Sequence, residues 1–184
     1  MAFINIIDYE NSEAVLREIY DDLIEKRGQL ANVHMIQSLN PQSIVNHMDL
    51  YLTVMFGKSP LSRPQREMIA VIVSKSNNCD YCIKHHSEAL NHYWKNQNKI
   101  DTLINNFHSL EISEQDKLIC EFAQKQTLKP EADKEIFNKL KLAGLSDRAI
   151  LDITLVIAYF NFVNRIVLAL GLELEKNNKH NYKY

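Results

Sequence analysis

Cys79 and Cys82, three positions apart, and His86, four residues after the second, are the residues whose types and spacing can do chemistry. Two thiols so placed at a helix start can close and reopen a disulfide, and the positive end of the helix favours the thiolate there. On a helix, the i+4 spacing sets the His86 imidazole on the face of the Cys82 sulfur, where a proton can pass directly or through water. His85 points about 100° away. Glu67 lies on the preceding segment and can orient His86 if the two helices pack antiparallel across Asn77-Asn78. A base oriented by a third group is the general design for activating a nucleophile. Such chemistry calls for no cofactor and no metal.

Other readings compete with it. Cys79, Cys82 and His86 are also three candidate zinc ligands, but a fourth is missing locally and Cys120 falls on another segment. Alternatively, the thiols are small buried hydrophobes and His86 a core histidine, although the coincidence of CxxC with the i+4 histidine weighs against this. Glu67, beside Arg63 and Arg66, can on spacing alone be a surface ion-pair partner. Cys120 shares an apolar stripe with Leu118, Ile119 and Phe122 and reads as core. His34, His47, His92, His108 and His180 are scattered without ligand spacing. Asn161, Asn164 and Arg165 interrupt an apolar helix and read as interhelical or subunit contacts, because buried polar groups need partners.

The elements that must position this constellation are helical. Ser62-Arg63-Pro64-Gln65 is a capping-box pattern with proline in the first turn, opening a helix through Met68, Ile69, Val71, Ile72 and Val73. Asn77-Asn78 interrupts it, and the next helix begins near Cys79 or Asp80 and carries Cys82, Ile83, His86, Ala89, Leu90 and Tyr93. Upstream, Val15 to Ile24 recur at helical spacing until Gly28, and Asn40-Pro41 opens a helix closing at Gly57. Downstream, a weak helix runs through Leu103, Ile104 and Phe107. Ser113 with Asp116 opens another, and a further one runs from about Glu131 to Ala143, ending at Gly144. Ser146-Asp147 opens the long apolar helix that ends at Gly171. Leu61-Ser62 and Leu145-Ser146 each precede an apolar helix, as in a duplicated helical unit. A thioredoxin arrangement is excluded, since a helix rather than a strand precedes the CxxC.

Composition sets the frame. The chain has 184 residues, 46% hydrophobic, with four Gly and four Pro, too few for the turns of a β-sandwich. An all-α class is therefore expected, as one helical domain over residues 1–175 with a loose polar tail over 176–184. Twenty-one Lys and Arg against 23 Asp and Glu give a net charge of -2, which leaves nothing to draw the surface to nucleic acid or anionic lipid. The run from Ala149 to Leu172 is broken by Asp152, Asn161, Asn164 and Arg165, so it reads as a core helix and no membrane association is expected. Three cysteines and an N-terminus without a basic stretch suit a reducing cytoplasm. The apolar surface on the helix carrying Ile150 to Leu170 is more than one chain can cover, which points to a homo-oligomer.

The motif Leu61-Ser62-Arg63 … Arg66-Glu67 … Ile69-Ala70 … Ser74 … Asn77 … Cys79-x-x-Cys82-x-x-x-His86 resembles the alkylhydroperoxidase AhpD-like group of the carboxymuconolactone decarboxylase superfamily, especially its peroxidase-related branch. The resemblance extends from about Ile36 to Gly171, including Tyr159 to Ile166. It implies an all-helical fold, a homo-oligomer (dimer, trimer or hexamer) and reduction of a hydroperoxide through a cysteine pair recycled by a thiol or dithiol, a lipoyl-type donor among them. By that analogy Cys82 attacks, Cys79 resolves, and Glu67 and His86 form the proton relay. Helix-terminus physics alone favours Cys79 as the thiolate, whereas His86 and the resemblance favour Cys82, which is taken as the attacking sulfur. Tyr81 departs from the AhpD pattern, which has a histidine there. Superfamily members that decarboxylate carboxymuconolactone generally lack the cysteine pair, so its presence argues against that chemistry, and a lyase using His86 and Glu67 with the thiols idle is the competing enzyme.

Overall fold

The computed structural model describes residues 2–175, so the tail expected over 176–184, with His180, lies outside the described residues. Among these there are nine α-helices, one 3-10 turn and no strand, the all-α class read from composition. The helices are α1 (Ala14–Arg27), α2 (Asn32–Met35), α3 (Pro41–Phe56), α4 (Arg63–Ser76), α5 (Asp80–Trp94), α6 (Gln97–Asn106), α7 (Glu114–Leu128), α8 (Lys134–Leu142) and α9 (Asp147–Ala169). They form two compact units, one of residues up to Tyr51 and from Ile166, the other Leu52–Arg165.

In the first unit, Leu16, Tyr20 and Leu23 of α1 pack on Ile44 and Met48 of α3, with Ile7, Tyr9, Leu30 and Met35 around them. The Tyr20 hydroxyl enters this core because it donates to the Ile7 carbonyl at 2.8 Å. The sequence scatters the histidines, but folding brings His34 and His47 to a ring separation of 6.0 Å, both buried. Burial lowers His47 from 6.5 to about 4. The unfolded chain thus binds this proton more tightly, and stability is lost as pH falls from 6.5 towards 4. We expect a loss of about 2 kcal/mol by pH 5 that is absent from His47→Gln, measured by denaturant titration.

The second unit is built around α4. Ser62 caps it, accepting from Gln65 N while the Gln65 side chain accepts from Ser62 N, and proline fills the first turn. From Arg66 to Ser74 every residue is buried, as in a helix surrounded on all sides. Helices α5, α6 and α7 pack against it. After Asn77, Asn78 takes a left-handed backbone (φ 55) that turns the chain into α5, with Cys79 at the N-cap. Cys79 N–H bonds back to Ser74 O at 2.9 Å, tying the turn to α4.

One boundary and one element differ from the sequence reading. Helix α8 begins at Lys134, not near Glu131, because the Asp133 carboxylate accepts from Glu135 N and Ile136 N and so fixes the start. Helix α2, one turn long, carries too few residues to show a period. Helix α9, with 23 residues, has the length and composition of a membrane span, although the uninterrupted-run reading excluded one. Its Ile153, Val156, Phe160, Val163 and Asn164 are buried, and Asp152 is paired with Ser59 and Arg148. Leu151, Leu155 and Phe162 remain exposed.

Candidate active site

Helices α4 and α5 bring the candidate residues into two contacting pairs within the second unit. Glu67 is 0% exposed, which overturns its reading as a surface ion-pair partner. Its Oε2 lies 2.7 Å from His86 Nδ1, and its Oε1 accepts from Arg63 Nε at 2.8 Å and Nη2 at 2.5 Å. Burial pushes the Glu67 carboxyl up, but the charges and hydrogen bonds of His86 and Arg63 outweigh it and hold the group below its ordinary value. An ionised carboxylate only accepts, so Nδ1 carries a hydrogen toward Glu67 and Nε2 is the ring nitrogen left to exchange a proton. Phe160 meets the imidazole edge-on with centroids 4.5 Å apart, and the Arg63 guanidinium lies over the Phe56 ring at 3.6 Å. The ring is held on two sides.

The second pair is the dithiol. All three cysteines are free thiols, and Cys79 and Cys82 are buried at 0% and 2%. Cys79 sits at the helix N-cap without closing a capping hydrogen bond of normal geometry. The Cys82 thiol and backbone N–H nevertheless lie near enough to draw its pKa down, against burial, which raises it. Cys82 is pushed up, first by giving its hydrogen to Cys79 and then by burial, while a hydrogen bond from Asn164 pulls the other way. Of the two sulfurs, Cys79 is thus the one whose ionisation is favoured, as helix-terminus physics anticipates. His86 stands one turn beyond Cys82 on α5; among the described residues no hydrogen bond from its ring reaches a sulfur.

Arg63, Phe160 and Asn164 are site residues that the sequence did not single out for this role. Arg63 at i−4 to Glu67 carries a readable signal, the pairing distance on a helix. Phe160 carries none, as one apolar residue among many. Among the described residues no group of three His, Cys, Asp or Glu is placed to hold a metal ion, so the zinc set of Cys79, Cys82 and His86 is not assembled.

Cys120, 0% exposed on α7, is pushed up by burial and is core. Cys120→Ala should lower the denatured thiol count by one and leave the Cys79 and Cys82 thiols in place, checked by thiol titration with peptide mapping.

An all-helical protein with a buried dithiol next to a carboxylate-oriented histidine is the class that fold and site define. A model of the carboxymuconolactone decarboxylase family matches residues 45–106, the segment holding all four candidate residues. Among solved structures, an uncharacterized peroxidase-related protein from Silicibacter sp. TM1040 is 27% identical, with TM-score 0.82 over 97% of this chain and 91% of that one. The alkylhydroperoxidase AhpD core of a peroxidase-related protein from Ralstonia eutropha JMP134 is 23% identical, with TM-score 0.85 over 95% and 93%. The debrominase Bmp8, in a cysteine-to-alanine form with 2,3,4-tribromopyrrole, is 23% identical, with TM-score 0.79 over 95% and 92%. No curated protein matches significantly. Over residues 45–106 the chain is similar to the carboxymuconolactone decarboxylase family, and over nearly its whole length it has the fold of the AhpD-like structures.

Proposed function

We propose that the protein reduces hydroperoxides through Cys79 and Cys82, with Glu67 and His86 moving the proton and an external thiol or dithiol restoring the pair. The observation that carries this reading is the Glu67–His86 hydrogen bond on a helix whose preceding turn holds two contacting thiols. With the Cys82 proton passed to His86, the Cys82 thiolate attacks a peroxide oxygen. An S–O bond forms, the O–O bond breaks, and the alkoxide leaves as the alcohol with a proton delivered through His86. Cys79 then attacks the sulfenic sulfur; the S–S bond forms, and hydroxide leaves with the Cys79 proton as water. A donor dithiol, oxidised to its own disulfide, returns both thiols.

A sulfur of raised pKa suits the attacking role once deprotonated, because nucleophilicity rises with basicity. Both sulfurs lie below the surface, so turnover includes a brief opening of the α4–α5 turn, and small hydroperoxides should react faster than bulky ones. The exposed stripe Leu151, Leu155 and Phe162 on α9 joins copies of the chain. The site of action is the cytoplasm, whose reducing poise keeps the donor thiols supplied.

The test is consumption of hydrogen peroxide and of a small alkyl hydroperoxide with dihydrolipoamide as donor. Turnover that needs both cysteines supports the reading. Activity on a lactone acid that survives both Cys→Ser changes would establish the lyase instead. The likeness to a debrominase favours a second use of the dithiol. Its oxidation to the disulfide would replace an aromatic C–Br bond by C–H and release bromide, and bromide release from a bromopyrrole distinguishes it.

A further inference from the structure

The turn that delivers Cys79 is fastened to α9 by asparagine side chains. Asn77 Nδ2, in the α4–α5 turn, gives its two hydrogens to two acceptors of α9, Asn161 Oδ1 at 3.1 Å and Asn164 Oδ1 at 3.0 Å. Asn161 is itself held in place: its Oδ1 also accepts from Arg165 Nη1 at 3.0 Å, and its Nδ2 donates to Thr127 Oγ1 on α7 at 3.2 Å and to Ile157 O at 3.0 Å. Asn164 Nδ2 donates to Ser74 Oγ at 3.2 Å, and the carbonyl of the same Ser74 accepts the Cys79 N–H at 2.9 Å. Ser74, Thr127 and Asn164 are buried, so much of this network is out of water. The turn is thus held at Asn77 and again at Cys79.

A regular helix does not by itself bring two cysteines of this spacing into bonding distance. Side chains three apart on a helix have Cβ atoms about 5–6 Å apart, whereas a disulfide needs about 3.5–4.5 Å. Cys79 stands off the helix, at the N-cap of α5 with φ -95 and ψ 86, so the turn decides where its sulfur falls. We infer that Asn77 is a positioning residue for the dithiol, which by holding the α4–α5 turn to α9 keeps Cys79 within bonding reach of Cys82 and so sets the reduction potential of the pair. This rests on the dithiol reading above and assigns the residue that prepares the pair to close. Released from α9, the turn would spread the Cys79 sulfur over more positions and lower its effective concentration beside Cys82. The disulfide would then form less readily at equilibrium.

The test is the redox equilibrium of the Cys79–Cys82 pair in buffers of oxidised and reduced dithiothreitol, read by thiol titration with peptide mapping, for the wild type and Asn77→Ala. Closing the pair forms one S–S bond in the protein and passes two electrons and two protons to oxidised dithiothreitol, whose own disulfide opens to two thiols. Asn77→Ala should lower the equilibrium constant for closure by about 10-fold or more, a rise in potential of about 30 mV or more, with helicity kept. An unmoved or lowered potential in the folded variant overturns the inference, whatever happens to turnover. If Asn77→Ala does not fold, Asn161→Ala removes one of the two acceptors, and the potential must rise in the same direction or the inference fails. A wild type that closes no Cys79–Cys82 bridge at any buffer ratio overturns the dithiol reading and this inference together. A bridge that closes in dithiothreitol but not with peroxide, with a raised potential in Asn77→Ala, would keep the role of Asn77 and remove the peroxidase reading.

Discussion

Cys82→Ser is expected to bring hydroperoxide turnover down to the uncatalysed level, and Cys79→Ser to stop the enzyme after one oxidation. The two losses differ in kind. Without Cys82 no sulfur lies one turn before His86, and the thiol left at Cys79 lacks the i+4 imidazole. Without Cys79 the first step proceeds and halts at the Cys82 sulfenic acid, which a dimedone-type trap should capture. Mass spectrometry of the trapped protein after one equivalent of peroxide checks this, with the adduct on Cys82 in Cys79→Ser and none in Cys82→Ser. An adduct on Cys79 instead would reverse the roles of the two sulfurs.

The second large effect concerns the buried Glu67. Glu67→Ala strands the Arg63 guanidinium and frees the imidazole, so it should destabilise the fold by about 3–5 kcal/mol, the usual cost of breaking a buried ion pair. Glu67→Gln keeps the volume and separates charge from packing. Its turnover should fall by about 100-fold or more, comparable to His86→Ala, because each removes the same oriented base. The activity profile of both variants should shift to higher pH, since sulfur deprotonation then depends on solvent base. Glu67 also fixes the acid limit of the wild type. Its folded pKa lies below the ordinary 4.5, so its contribution is complete above that value and is lost as pH falls further and the folded carboxyl protonates. Denaturant titrations of wild type and Glu67→Gln against pH test the sign, and a wild type that gains stability below pH 4.5 would contradict it.

Much of this site could be read before the fold was known, for local reasons. Ser62, Pro64 and Gln65 determine the start of α4 within one turn, and Asn77-Asn78 marks its end, because caps and turns are short-range chemistry. Those two boundaries suffice to set Cys79 at an N-cap and His86 one turn after Cys82. What the sequence withheld depends on contacts across long separations. Glu67 between Arg63 and Arg66 looked like surface until α5 covered it. The cluster of Asn77, Asn161 and Asn164 joins residues more than 80 positions apart. Its only trace was three polar residues in an apolar helix, which told of buried partners but not of which ones. The His34–His47 contact joins separate helices in the same way.

Thiol counting on the reduced wild-type protein, before and after one equivalent of hydrogen peroxide, tests the central claim most directly, with peptide mapping of any bridge formed. Three thiols should fall to one, with a single disulfide joining Cys79 to Cys82 and Cys120 still free. Three thiols remaining, or a bridge that includes Cys120, would contradict the account.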